Sequence, residues 1–476
     1  RRQFLQKSGV LLGSVYGGML LSNGLFPAYG QAAAISNQPF SRPLPIPPLL
    51  DKRVDPAGVS RFELTAQNGE SHLISERLTP TMGYNGNYLG PTIRVRNGER
   101  VALDVNNRLD QTTTVHWHGL HVPAEFDGGP RQPIHSGASW HPEFTIKQPA
   151  ATLWYHPHAM GLTGEHVYMG LAGLFYIDDQ LSERLDIPDE YGVNDIPLII
   201  QDRLFVNGLM TYDGEMSNEG YFGNTILVNG TIGAFKEVPA GWVRLRVLNG
   251  SNARFYNLGF QDKRIFQIIA TDGGFLNNPV SVNSIEVWPG ERFEVLVDFS
   301  NSSNIKMVAN SINRGQRQEF DIIEFRPDNS IVSTGELPID LNNIVPHNVN
   351  DVVNTRTFSL NMDGLDGGMM GINGVAMNMD IINEAISMNE LERWEITSYD
   401  GKHPFHLHGA SFLILSMDGG TVPLHEQGWK DVGKVNDSAE ILVRFNYIAN
   451  DDMPYMYHCH ILEHEDMGMM GQFTVH

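Results

Sequence analysis

Apolar and polar residues alternate in short runs along this chain, and turn signals separate the runs. Ile93 and Val95 flank Arg94, and Val243, Leu245 and Val247 interleave with Arg244 and Arg246. Trp394 and Ile396 alternate with Arg393 and Glu395. A period of two puts the apolar side chains on one face of a strand. Asn-Gly turns recur at Tyr84-Asn85-Gly86, Val228-Asn229-Gly230 and Ile372-Asn373-Gly374, and each feeds such strands. With 48 glycines and 26 prolines punctuating Val- and Ile-rich runs, the pattern predicts an all-β chain.

The three turns also mark three similar units. At 476 residues the chain exceeds one typical domain. The units are placed at 35–180, 190–330 and 350–476. Arg326–Asn354, rich in Pro, Asn and Asp, is read as the linker before the last. The first and third units share more. Tyr155-His156-Pro157-His158 parallels Tyr457-His458-Cys459-His460, and His116-Trp117-His118-Gly119 parallels His406-Leu407-His408-Gly409. Met169-Gly170-Leu171 parallels Met467-Gly468-Met469. Where the third unit has His403, Cys459 and Met469, the first has Thr113, Pro157 and Leu171. The middle unit has no His-x-His pair and is expected to be structural.

Composition narrows the partners. A net charge of −22 argues against nucleic acid and anionic membranes. Arg1-Arg2-Gln3-Phe4-Leu5-Gln6-Lys7, an apolar stretch over Gly9–Phe26 and the small residues at Gln31-Ala32-Ala33-Ala34 read as a twin-arginine export signal over 1–34. The chain opens on the arginine pair, so some residues are expected to precede it. The stretch is interrupted by Ser and Gly, so removal is expected rather than a membrane span. Loss of its three positive charges takes the net charge from −22 to −25. The export machinery is thus one expected partner, and the periplasm the expected location.

An exported chain with one cysteine cannot form an internal disulfide, and metal ligation explains the odd thiol. In a strand His458 and His460 face one side and Cys459 the other, so adjacent residues reach two sites. A thiolate, an imidazole at Cys+5 (His464) and a thioether at Cys+10 (Met469) are the soft ligands of a blue copper centre. Four His-x-His pairs, His116/His118, His156/His158, His406/His408 and His458/His460, supply eight imidazoles that suit copper. A cluster split between the first and third units would lie at their interface.

These blocks resemble the three-domain multicopper oxidases, most closely the bacterial periplasmic cuprous oxidase and laccase group. Pro43-Leu44-Pro45-Ile46-Pro47, Phe126-Asp127-Gly128-Gly129-Pro130 and His403-Pro404-Phe405-His406-Leu407-His408-Gly409 add to the likeness. The resemblance implies three cupredoxin-like Greek-key β-barrel domains and four copper ions. Type 1 copper would take His403, Cys459, His464 and axial Met469. Type 2 would take His116 and His406, and the type 3 pair His118, His156, His158, His408, His458 and His460. It further implies one-electron oxidation of a donor and reduction of O2 to two waters. Asp127 and Glu465 stand where the family's proton-relay carboxylates lie; Asp127 also suits a turn, and Glu465 also suits a hydrogen bond to a ligand histidine.

The donor is either Cu(I) or a phenol-like reductant. The family's cuprous oxidases carry a long Met-rich insertion that is short here, leaving Met362, Asp366 and Asp400 as possible Cu(I) ligands. Lys402 would repel a cation, and Met362 and its neighbours also suit loop and core filling. Loss of the insertion would open the type 1 site to larger donors. Relatives that have lost the copper ligands act in cell division, so a copper-free scaffold is the alternative. A complete intrachain cluster permits a monomer.

Overall fold

The computed structural model describes residues 39–74, 77–212, 218–301, 303–313, 316–365 and 369–476. The expected export signal and Asp366 lie outside the described residues. Among the described residues there are six sheets of four to seven strands and two short α-helices, Thr163–Met169 and Leu462–Asp466. No helix there is long and apolar enough to cross a membrane.

The sheets pair into three sandwiches, each closed by its own apolar cluster. Phe62, Leu103, Tyr155 and Phe175 join both sheets of the first. Leu198, Leu245, Leu258 and Ile323 do so in the second, and Trp394, Ile441, Phe405 and Phe473 in the third. The strand Gln316–Asp328 continues past Arg326, and the next long strand begins at Val352, so the connection between the last two sandwiches starts later than the sequence suggested.

One device sets the same turn three times. Asn85, Asn229 and Asn373 have φ of 54°, 48° and 55°, a left-handed conformation that Asn tolerates better than most residues. Their Oδ1 atoms accept the backbone N–H of Thr65, Ile199 and Ser359 at 2.6, 2.8 and 2.8 Å. Their Nδ2 groups donate to the carbonyls of Glu63, Pro197 and Thr357. Each turn is thereby tied to two residues, two positions apart, on one neighbouring strand, which makes the repeat a matter of hydrogen bonding as well as pattern.

Strand register then carries the histidines. His116–His118 runs antiparallel to Ala151–His156 with His116 opposite His156. His403–Leu407 runs antiparallel to Tyr455–Cys459 with His406 opposite His458. The first and third sandwiches thus present their His-x-His pairs in one register. Asp127 Oδ2 lies 2.6 Å from His408 Nδ1, so the two surfaces meet across these pairs.

Candidate metal centre

Two separate groups form. In the first, His403 Nδ1 and His464 Nδ1 lie 3.4 and 3.6 Å from Cys459 Sγ and 3.4 Å from each other. His403 sits on a strand, while His464 sits on the helix Leu462–Asp466 that follows Cys459. His464 donates its Nε2–H to the Asn218 carbonyl at 2.8 Å, which leaves Nδ1 with its lone pair toward the sulfur. His403 Nε2 faces Asp400 Oδ1 at 3.3 Å. Met469 is fully buried in the same apolar cluster as Cys459, whereas Met470 packs with Met377 and Met456. Its N–H donates to His464 O and its carbonyl accepts from Cys459 N, at 2.9 and 3.1 Å, so the backbone holds it beside both.

Behind Cys459 the eight other imidazoles converge. His116, His406 and His408 form one triad, His118, His156 and His460 a second, and His158, His408 and His458 a third. All eight are at most 1% exposed. His116, His156, His406 and His458 place Nδ1 at 2.7–3.0 Å from the carbonyls of Asp127, Pro157, Asp431 and Cys459. A carbonyl only accepts, so these Nδ1 atoms carry hydrogen and the Nε2 lone pairs face inward. His408 Nδ1 faces Asp127 Oδ2, while His158 and His458 Nδ1 lie 3.3 and 3.2 Å from Glu465 Oε1 and Oε2.

This arrangement fits metal ions. His158 Nε2 and His408 Nε2 each lie 3.2 Å from His458 Nε2, acceptor against acceptor. The Nε2 atoms of His116 and His406 and both ring nitrogens of His460 are buried with no hydrogen-bond partner. Lone pairs held this close repel unless a cation lies among them, and outer carbonyls and carboxylates are the usual orienting partners of metal-bound histidine. Burial lowers His158 to about 4 and His460 and His464 to about 3, so all three are neutral near pH 7, the form in which an imidazole can bind a metal. Burial pushes the Cys459 thiol up, so its thiolate needs a bound cation beside it.

The first sandwich holds the counterpart of the sulfur group without its ligands. Thr113 Oγ1 lies 3.2 Å from His166 Nδ1, where the third sandwich sets His403 against His464. Leu171 N donates to His166 O just as Met469 N donates to His464 O. His166 is five residues before Leu171, and His464 five before Met469, a spacing that could have flagged this pair from sequence.

Two supports were not anticipated. Asp431 lies 3.0 Å from His118 Nε2, and Arg292 of the middle sandwich is paired with that carboxylate. Neither residue sits in a repeated motif. Of the residues considered for donor binding, Met362, Asp400, Lys402 and His464 line one cleft of about 490 Å³ with Phe222 and Phe255 of the middle sandwich.

Known proteins match along the same lines. Three family profiles, each described as multicopper oxidase, match residues 65–182, 178–323 and 343–476. The chain is 38% identical to the cell division protein FtsP of Dickeya dadantii, covering 100% of this chain and 98% of that one. It is 37% identical to the multicopper oxidase mco of Staphylococcus aureus, covering 90% and 91%. Among solved structures, the laccase-like multicopper oxidase CueO of Ochrobactrum sp. superposes with a TM-score of 0.86 at 38% identity, covering 91% of this chain and 100% of that one. Repeated sandwiches, converging imidazoles and these matches agree: the chain belongs to the multicopper oxidase family, with the all-β three-domain cupredoxin-like fold.

Proposed function

We propose that this protein is a copper-dependent oxidase that takes electrons singly from a small donor and passes them to O2. The observation that carries the reading is the convergence of ten buried histidines and the only cysteine into two adjacent groups. His403, Cys459, His464 and Met469 would hold type 1 copper. His116 and His406 would hold type 2, and His118/His156/His460 with His158/His408/His458 the type 3 pair. Bound copper would supply the chemistry, one-electron oxidation of the donor and four-electron reduction of O2 to two waters.

The chain's own part is connection, orientation and protons. Cys459 is bonded in sequence to His458 and His460, so three consecutive residues span both groups. Asp127 orients His408, and its buried Oδ1 has no hydrogen-bond partner. Glu465 bridges the outer nitrogens of His158 and His458 from the other side. Each carboxylate would deliver protons at its own edge of the site.

The cleft beside His464 is the proposed donor site. Its volume and its Phe222 and Phe255 walls suit an aromatic, phenol-like reductant. Cu(I) is the second reading, favoured by Met362 next to Asp400. Against it, Asp400 already accepts from Met362 N through Oδ2 and faces His403 through Oδ1. Export to the periplasm rests on the twin-arginine signal whichever donor is used, and a role in copper tolerance belongs to the Cu(I) reading.

A copper-free scaffold in cell division is the reading that the FtsP likeness favours. Copper analysis with oxygen uptake separates the classes. About four copper ions per chain and uptake with a phenol or Cu(I) are expected. A chain that binds no copper and consumes no oxygen overturns the oxidase. A much higher kcat/KM for Cu(I) than for a bulky phenol would move the donor assignment to Met362 and Asp400.

A further inference from the structure

Seven of the eight imidazoles behind Cys459 have a partner at the outer ring nitrogen, and six of those turn Nδ1 outward. His118 is reversed. Its Nε2 faces Asp431 Oδ1 at 3.0 Å, and its Nδ1 faces His156 Nε2 at 3.4 Å. Asp431 is fully buried and clamped on three sides. Arg292 Nη1 and Nη2 donate to Oδ1 and Oδ2 at 2.6 and 2.5 Å, the Asp431 backbone N–H points at Asp272 Oδ2 at 3.3 Å, and the Asp431 carbonyl accepts from His406 Nδ1. One residue therefore orients a ligand in each of two triads.

Arg292, a residue of the middle sandwich, is itself fixed from both the first and the middle sandwich. Its Nε donates to Thr152 O at 3.0 Å, and its Nη groups donate also to Gly290 O and Asp272 O at 3.0 and 3.1 Å. Two glycines show how tightly this layer is packed. A Cβ on Gly119, next to His118, would lie 2.4 Å from Asp431 Oδ2 and 2.9 Å from Arg292 Nη2. A Cβ on Gly290 (φ 83°) would lie 3.0 Å from the His460 ring.

Resting on the oxidase reading above, we propose that Arg292 and Asp431 are positioning residues that set which nitrogen His118 offers to the metal. Both oxygens of Asp431 are taken by the guanidinium, so the carboxylate is a poor ligand and a fixed acceptor. A fixed acceptor at Nε2 keeps the hydrogen there and leaves the Nδ1 lone pair facing His156. The middle domain, which contributes no ligand to the triads, thereby shapes the site through one buried ion pair.

The test uses the full chain, copper-loaded and fully reduced so that it is diamagnetic, with isotope-labelled histidine. Long-range proton–nitrogen correlation spectra should show hydrogen on Nε2 of His118 but on Nδ1 of His116, His156, His406 and His458. In Asp431→Asn, the His118 ring proton should exchange faster and copper should pass from the imidazole group to a chelator about 10- to 100-fold faster, the usual loss for an outer partner. In a separate oxidised sample of this variant the blue absorption of the Cys459 site should stay intact, which a general loss of structure would not allow. Arg292→Lys, with a cation but no fork, should fall between the two. Hydrogen on Nδ1 of His118, or unchanged exchange and chelator rates in both variants, overturns the inference. If Asp431→Asn fails to fold, the parent tautomer and Arg292→Lys decide. A chain that takes up no copper overturns the oxidase instead, and the His118 tautomer read in that metal-free chain still decides this proposal.

Discussion

At the scale of single residues, the site depends on which atom of each side chain has a partner. Cys459 supplies the only sulfur anion, and nothing cationic faces it among its contacts with His403, His464 and the Ile461 N–H. Cys459→Ser should therefore abolish the blue absorption and donor oxidation while the imidazole group keeps its copper, as metal analysis with electron paramagnetic resonance would show. Glu465 makes a different demand, because its two oxygens lie 3.3 and 3.2 Å from the outer ring nitrogens of His158 and His458 and have no hydrogen-bond partner. Glu465→Gln keeps the shape of the side chain and removes the negative charge beside both rings. Copper retention or oxygen reduction should drop about 10- to 100-fold, with the blue site intact. An unchanged rate in chelator competition and oxygen uptake would remove Glu465 from both roles.

At the scale of elements, the strands and turns do the positioning. Register sets His116 opposite His156 and His406 opposite His458, so a one-residue slip would turn these rings to the wrong face. The asparagine turns tie down strands outside those pairs, at Thr65, Ile199 and Ser359. Asn229 is nearly buried, and its amide bonds to Ile199, Pro197 and Pro45. Asn229→Ala removes these bonds and forces alanine into a left-handed φ, for a cost of about 2–4 kcal/mol in thermal or denaturant unfolding. Copper content at low temperature should be unchanged, since the turn lies in the middle sandwich. All three turns were legible as Asn-Gly pairs, because their cause is local. The bonds that repeat with them were not, since each partner lies on a neighbouring strand.

At the scale of the whole molecule, buried neutral histidines make metal-free stability depend on pH. His121 and His166 are held at about 4 by burial, as is His158, with His460 and His464 at about 3. In the unfolded chain each would titrate near about 6.5. Between those limits the unfolded state binds more protons, so stability is lost as pH falls from about 6.5 toward 4. The Tm of copper-free protein should drop steeply across that window, and copper should raise it near pH 7 because it binds the folded state. A flat Tm from pH 7 to 4.5 would contradict the buried neutral set. The middle sandwich adds a second long-range effect: Gly290→Ala should crowd His460 and lower copper in the imidazole group without touching the blue site.

The sequence by itself determined the kinds of ligand and their pairing along the chain. A His-x-His spacing in a strand needs only the two-residue period to put both rings on one face, and Cys459 between His458 and His460 needs only its reverse. The tertiary structure alone decided which ring nitrogen each histidine turns inward, since that follows from an acceptor often far away in sequence, such as Asp431 for His118. It also decided that Asp400 is committed to His403 and Met362, and that a middle sandwich without a ligand motif reaches the site through Arg292. Those contacts exist only after separate sandwiches pack together. No local period encodes them, because the energy of a buried hydrogen bond depends on where its partner ends up in space.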